Sequence, residues 1–169
     1  MTDYNLRLAF PSDLTKVHGL MLSVHRTMPN KDLYVVDSLH HIIDTVVNRG
    51  FGVVATFNHK IVGTLIVRFP MFQSDNLGRD IGISETRLPM VVHMESSAVL
   101  LEHRGNNLQC KMLQFAEELI DTNKFKYLLC TASPMNIHSC RNLEKLGYTV
   151  KLEKEMYGGH LRRIYYKEI

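Results

Sequence analysis

Val99-Leu100-Leu101-Glu102-His103-Arg104-Gly105-Asn106-Asn107-Leu108-Gln109 runs without a break into Cys110-Lys111-Met112-Leu113-Gln114-Phe115-Ala116. An apolar strand stops, an Arg-Gly turn follows, and a helix begins with no side-chain carboxylate in its first turn. The first backbone N–H groups of a helix lack internal partners and sit at its positive end, so a phosphate suits that place. Residues 104–109 therefore read as a pyrophosphate cradle between a strand and a helix.

Upstream, Asn5 to Phe10 reads as a short strand. Pro11-Ser12-Asp13 then opens a helix with Leu14, Val17, Leu20, Met21 and Val24 on one face. Asp37 or Ser38 caps a second helix carrying Leu39, Ile42, Ile43, Val46 and Val47 and ending at Gly50. Phe51–Phe57 and Ile61–Phe69, separated by Asn58-His59-Lys60, predict a hairpin. Residues 70–88 hold Pro70, Gly78 and Gly82 with no sustained period. They read as a long loop, either a functional lid or a disordered segment.

Pro89–Leu101 is the next strand and Gly105–Asn123 the next helix, with Leu108, Met112, Phe115, Ala116, Leu119 and Ile120 at helical spacing. Phe125–Cys130 is a strand, Pro134–Leu146 a helix stopped at Gly147, and Tyr148–Leu152 and Ile164–Lys167 are closing strands. The order β-α-α-β-β-β-α-β-α-β-β predicts an α/β fold with a mixed sheet and helices on both faces.

The 169 residues suit a single domain spanning 1–169. With 45% hydrophobic and 22% charged residues the composition is that of a globular protein, and the net charge of +3 is too small to argue for nucleic acid. Cys110, Cys130 and Cys140 form no CxxC pair, which fits neither a disulfide framework nor a zinc site. No basic and apolar leader opens the chain and no apolar run approaches a membrane span, so a cytoplasmic protein with no membrane partner is expected.

A glycine-containing turn alone fits many ligands. The G-x-G-x-x-G and G-x-x-x-x-G-K-[ST] fingerprints are absent, which removes the two commonest nucleotide readings. What remains, a strand ending in Val99-Leu100-Leu101 and then Arg104-Gly105-Asn106-Asn107-Leu108-Gln109, resembles the acyl-CoA loop (R/Q-x-x-G-x-G/A) of the GNAT superfamily of N-acetyltransferases. Asn136-Ile137-His138-Ser139, followed by Leu143-Glu144-Lys145-Leu146-Gly147-Tyr148, resembles the later helix of that family. The tail Tyr157-Gly158-Gly159-His160-Leu161-Arg162-Arg163-Ile164 is similar to one of its bacterial branches.

The resemblance implies a mostly antiparallel sheet of about seven strands flanked by about four helices, and acetyl-CoA as co-substrate with no metal. It implies that Val99 and Leu101, flanking Leu100, offer backbone groups to the pantetheine arm. Residues Arg104, Gly105, Asn106, Asn107, Leu108 and Gln109 would hold the pyrophosphate. Asn136 would bond the pantetheine beside Ser139, although an ordinary helix cap accounts for Asn136 equally well. Asn107 and Gln109 stand where the family has small residues; Asn tolerates left-handed backbone, and both keep the N–H donors.

Amine acetylation needs a proton removed from the acceptor. His93 and Glu95 lie two apart on the strand feeding the loop, so alternation puts both on one face. Glu95, nine residues before Arg104, holds the position at which several GNAT enzymes carry their base; His93 is the second candidate. Each also reads as a structural sheet residue. The tyrosine that many members use as general acid is replaced by Leu143. Ser139, Cys140 and Tyr148 lie nearby in sequence without the right register, and Tyr157 could approach from the tail.

The acceptor side falls to the first two helices and the 70–88 loop. Asp75, Asp80 and Glu85 could attract a cation there, and Met21, Met28, Met90 and Met94 could line a floor; surface charge and core packing are the alternatives. The expected function is N-acetyl transfer to a primary amine of a small molecule or peptide by direct attack, in a chain that could form a homodimer. A non-catalytic acyl-CoA-binding sensor is the competing reading, favoured by Leu143.

Overall fold

A computed structural model describes residues 4–169. The elements follow the expected order: β1 (Asn5–Leu8), α1 (Leu14–Thr27), α2 (Leu39–Asp44), β2 (Gly50–Phe57), β3 (Lys60–Arg68), β4 (Val91–Val99), α3 (Leu108–Leu119), β5 (Tyr127–Ala132), α4 (Ile137–Lys145), β6 (Thr149–Met156) and β7 (His160–Glu168). They form a seven-stranded sheet in the order β1-β2-β3-β4-β5-β7-β6. Every pair is antiparallel except β4–β5.

Asn58 (φ 48°) and His59 (φ 62°) turn the chain between β2 and β3. Two left-handed residues in succession make the hairpin turn whose twist matches its strands. The predicted face of α1 is buried in full, from Leu14 to Val24, against Val54, Ile66 and Ala98 of the sheet. On α2 Ser38 is the cap, its Oγ accepting from His41 N at 3.1 Å. Here the predicted apolar face is corrected. The stripe that meets the core is Ile42, Thr45 and Val46, which leaves Ile43 and Val47 exposed, and the helix widens into a π-helical turn over Thr45–Arg49.

Helices α3 and α4 cover the other face, where Leu108, Met112, Leu113, Cys140 and Leu143 pack on Val92, Met94 and Leu128. The three cysteines are free and buried. No described helix is long and apolar enough to cross a membrane.

Several boundaries move. α3 begins at Leu108 rather than Gly105, because Gly105 (φ +80°) and Asn107 (φ 59°) are left-handed and cannot be helical. β4 is trimmed at both ends by 3₁₀ turns, Glu85–Met90 before it and Leu101–His103 after it. β6 and β7 run longer than predicted and meet at the Tyr157-Gly158-Gly159 turn.

The 70–88 segment is a packed succession of turns. Asn76, 1% exposed, pins it: its amide donates to Met71 O (2.6 Å) and Leu88 O (3.2 Å), and its Oδ1 accepts from Gly78 N (2.9 Å). Leu77 beneath it packs with Val91, Leu129 and Ile164.

Two irregularities position the site. β4 and β5 pair only from Val91↔Tyr127 to His93↔Leu129, although both strands continue, so they splay open beyond His93. Opposite, Ile66 pairs with Ser96 while Val67 pairs with Met94, which leaves Glu95 as the extra residue of a β-bulge. The bulge reverses the alternation of β4. Val92 and Met94 face α3 and α4, yet Ala98 faces α1 and α2.

Candidate active site

The splay between β4 and β5 opens a cleft of about 580 Å³ that runs from the α3 N-terminus to the segment joining α1 and α2. At one end stand Arg104, Gly105, Asn107, Leu108 and Gln109. Asn107 makes no capping hydrogen bond with its side chain, and the first backbone bond of α3 runs from Lys111 N to Asn107 O at 3.0 Å. The N–H groups of Leu108, Gln109 and Cys110 thus have no acceptor among the described residues. A Cβ on Gly105 would meet no atom within 4 Å, so glycine is required there for its positive φ, not for room. A helix of this length ending in free donors beside two left-handed residues suits a diphosphate.

The other predicted contacts divide. Val99 and Ser139 line the cleft, as does Asn136, whose Oδ1 caps α4 by accepting from Ser139 N at 3.2 Å. The cap reading of Asn136 therefore holds; its Nδ2 makes no hydrogen bond among the described residues. Val99 O accepts from Arg104 Nε at 3.3 Å, so the arginine folds back on the strand end. Gln109 ties the two helices together, donating to Ser139 Oγ (3.1 Å) and accepting from Asn142 Nδ2 (2.7 Å). Leu100, Leu101 and Asn106 do not line the cleft. Leu100 N is bonded to Val62 O, Leu101 lies in the exposed 3₁₀ turn, and Asn106 turns its amide onto His103 O and Arg104 O.

Midway along the cleft is Glu95. Arg68, the last residue of β3 and only 3% exposed, donates from Nε to Glu95 Oε1 at 2.8 Å. His41 Nε2 from α2 lies 3.4 Å from Oε2. The rest of the Arg68 fork reaches Gln73 Oε1 (2.6 Å) and Asp75 Oδ2 (2.9 Å). Burial works to raise the Glu95 carboxyl, but the His41 hydrogen bond and the Arg68 charge outweigh it and hold it below the usual carboxylate range. The same hydrogen bond lifts His41 above its ordinary value. Beside them Asp37 accepts from Ser96 Oγ, and burial pushes its carboxyl upward.

His93 is corrected. It is 3% exposed, does not line the cleft, and both ring nitrogens are engaged inside the protein. Leu77 N donates to Nε2 at 3.0 Å and Arg68 Nη2 lies 3.2 Å from Nδ1; both neighbours are N–H donors, so the ring has no acceptor for a second proton and stays neutral. Burial, with the Arg68 charge, pushes its pKa down to about 4. His93 is a neutral strut between the sheet and the 70–88 loop.

The loop carboxylates stay out of the cleft. Asp75 pairs with Arg68, Asp80 with Lys154 and Glu85 with Arg79. Of the four methionines, Met28 and Met94 line the cleft, while Met21 and Met90 belong to the core. Leu143 is buried at the cleft wall, Cys140 Sγ points to Ser133 O, and Tyr148 OH is spent on Glu117 at 2.9 Å. Tyr157 does line the cleft, its OH 3.1 Å from Thr131 Oγ1.

Sequence reasoning missed Arg68, His41 and Asp37. Arg68 had a signal, one cation closing an otherwise apolar strand. His41 had none, since its partner lies 54 residues away. Asp37 reads in the sequence only as a helix cap.

No family model matches the sequence, and no curated protein does. Solved structures match along nearly the whole chain. One is an acetyltransferase of the GNAT family from Streptococcus pneumoniae, at TM-score 0.71 and 15% identity, covering 99% of this chain and 100% of that one. Another is the ribosomal-protein-S18-alanine N-acetyltransferase from Escherichia coli, at TM-score 0.73 and 12% identity, covering 99% and 94%. A third, an aminoglycoside acetyltransferase in complex with coenzyme A and kanamycin, matches at TM-score 0.69 and 15% identity over 98% and 95%. At these identities the likeness is one of fold.

Proposed function

We propose that this chain, which has the fold of the GNAT acetyltransferases, transfers an acetyl group from acetyl-CoA to a primary amine by direct attack. One observation carries the reading: a single cleft joins uncapped helix N–H donors at one end to a buried, ion-paired carboxylate in the middle. Bound acetyl-CoA supplies an activated thioester. The α3 N-terminus with Arg104, Gly105 and Asn107 would hold its diphosphate, and Val99, Asn136 and Ser139 would flank the pantetheine. Solved structures of the same fold contain coenzyme A or acetyl-CoA, which supports that assignment.

Glu95 would meet the acceptor amine. Ionised at neutral pH, it binds an ammonium well but is a weak base for one. A free alkylamine with a pKa of about 10.4 costs roughly 4–5 kcal/mol to deprotonate at pH 7; Glu95, held below the usual carboxylate range, does not lower that cost as the final resting place of the proton, and would instead orient the amine and offset the positive charge it carries as the new bond forms, the proton passing on to solvent. His41, behind Glu95, is placed to share the proton. Tyr157 is the hydroxyl nearest in kind to the acid that Leu143 cannot be. A thiol leaves readily without one, its pKa being about 8.5.

The competing reading, an acyl-CoA-binding module without turnover, keeps one supporting observation, the buried Leu143. Thiol release from acetyl-CoA over a panel of amines separates the two. Turnover that falls on E95Q with unchanged CoA affinity supports transfer. Micromolar CoA binding with no turnover on any amine refutes it.

A further inference from the structure

Arg162 lies on β7, on the same side of the sheet as Ile164, which packs under the 70–88 loop. It lines the acceptor end of the cleft, away from the α3 N-terminus, and is 4% exposed. Its Nη1 donates to Leu161 O at 2.9 Å and its Nη2 to Asp32 O at 2.6 Å. The ring of Tyr157 covers it, 5.8 Å from Cζ to centroid.

Among the described residues Arg162 has no anionic partner. Five other guanidinium groups, those of Arg7, Arg49, Arg68, Arg79 and Arg163, each sit on a carboxylate. The nearest candidate, Asp32, presents only its carbonyl to Arg162 and sends its carboxylate to His160 at 3.5 Å. A buried cation without a counter-charge is costly. Its neutral bonds to two carbonyls leave Nε–H and one N–H on each terminal nitrogen without an acceptor among the described residues, and such a fork matches a carboxylate. Across the same chamber stand the carboxylates of Glu95 and Asp37, with Met28, Leu33 and Val35 as apolar wall.

We propose that the acceptor is an amine that also carries a carboxylate, an amino acid or a close derivative, with its amine at Glu95 and Asp37 and its carboxylate on Arg162. The proposal rests on the acetyl-transfer reading above. It disfavours polyamines, which would put a second cation beside Arg162.

The test measures kcat/KM with acetyl-CoA for apolar α-amino acids against their amides, in the wild type and in R162Q. Comparing the ratio between the two proteins cancels the differing basicity of the amines. Loss of a charge-assisted hydrogen-bond pair lowers the carboxylate-to-amide ratio in R162Q by roughly 10- to 100-fold, and R162K keeps part of it. A purely structural clamp on Asp32 O would lower both substrates together and leave the ratio alone; that result, or a wild type that serves amides and diamines as well as amino acids, overturns the proposal. Turnover with no amine at all refutes acetyl transfer instead. The site is then read by melting temperature in the presence of CoA: a rise with amino acids but not amides, absent in R162Q, sustains it, and no rise rejects it.

Discussion

Replacing Arg68 with methionine removes the cation of a buried pair while keeping much of its volume. Arg68 Nε and Glu95 Oε1 are 2.8 Å apart, with the two side chains 4% and 17% exposed. At that separation an effective dielectric of about 20 gives an attraction of roughly 6 kcal/mol, much of it offset by desolvation of both groups. Breaking such a pair from one side costs about 3–5 kcal/mol, because the other charge stays buried. His41 still touches Glu95 and Asp75 is free to turn to solvent, so the lower end, about 3 kcal/mol at pH 7, is expected. With a urea slope of about 2 kcal/mol/M that moves the unfolding midpoint by on the order of 1.5 M. The pH dependence identifies the cause. In the wild type Glu95 is held below its unfolded value of about 4.3, so its contribution is present above that pH and is lost as pH falls through the folded value. In the variant burial acts without the cation, the carboxyl rises above its unfolded value, and the penalty disappears once it protonates. The gap between the two proteins should therefore narrow from pH 7 toward pH 4, and E95Q should be less harmful in the R68M background than alone. Urea titrations at both pH values on all four proteins decide it. An equal gap at both, or strictly additive substitutions, would refute the account.

G105A places a side chain at φ +80°, where nothing obstructs it but the backbone is strained by about 1–2 kcal/mol; isothermal titration should show weaker CoA binding with the acceptor KM little changed. H93A should lower the melting temperature by several degrees, since it orphans Leu77 N and opens a cavity, yet leave the pH profile of kcat/KM in place, because His93 stays neutral and away from the cleft. L143Y overfills a site that is 3% exposed and should cost about 1–3 kcal/mol in a denaturant titration without restoring a general acid. With alkylamine acceptors kcat/KM should climb through pH 7–9 as the neutral amine accumulates; a plateau beginning below pH 7 would mean a stronger base than Glu95 is at work.

Wherever local chemistry decides the structure, the sequence was readable. Apolar spacing placed every strand and helix in the right order, because each buries its own face against the sheet, and α1 matched residue by residue. Asn107 was expected to tolerate the left-handed geometry that it adopts. Legibility failed where one residue is inserted or one partner is remote. On α2 and the turn after it the core takes Ile42, Thr45 and Val46, so a polar threonine is buried while Ile43 and Val47, equally apolar and also four apart, stay exposed. The bulge matters most. Strict alternation puts His93 and Glu95 on one face, with Glu95 the first candidate and His93 the second, and nothing in Val91-Val92-His93-Met94-Glu95-Ser96 announces the extra residue. Pairing with β3 stops for one residue there. Before the bulge the side chain on that face is sealed under Leu77, and at the bulge it turns into the space where β5 has diverged. Two titratable groups two residues apart thus end with opposite environments. One is a neutral histidine held to about pH 4 by burial, and the other a carboxylate kept charged by Arg68 and His41. The separation of their roles comes from the tertiary mismatch between strands, which is why residue identity and spacing alone left both as candidates.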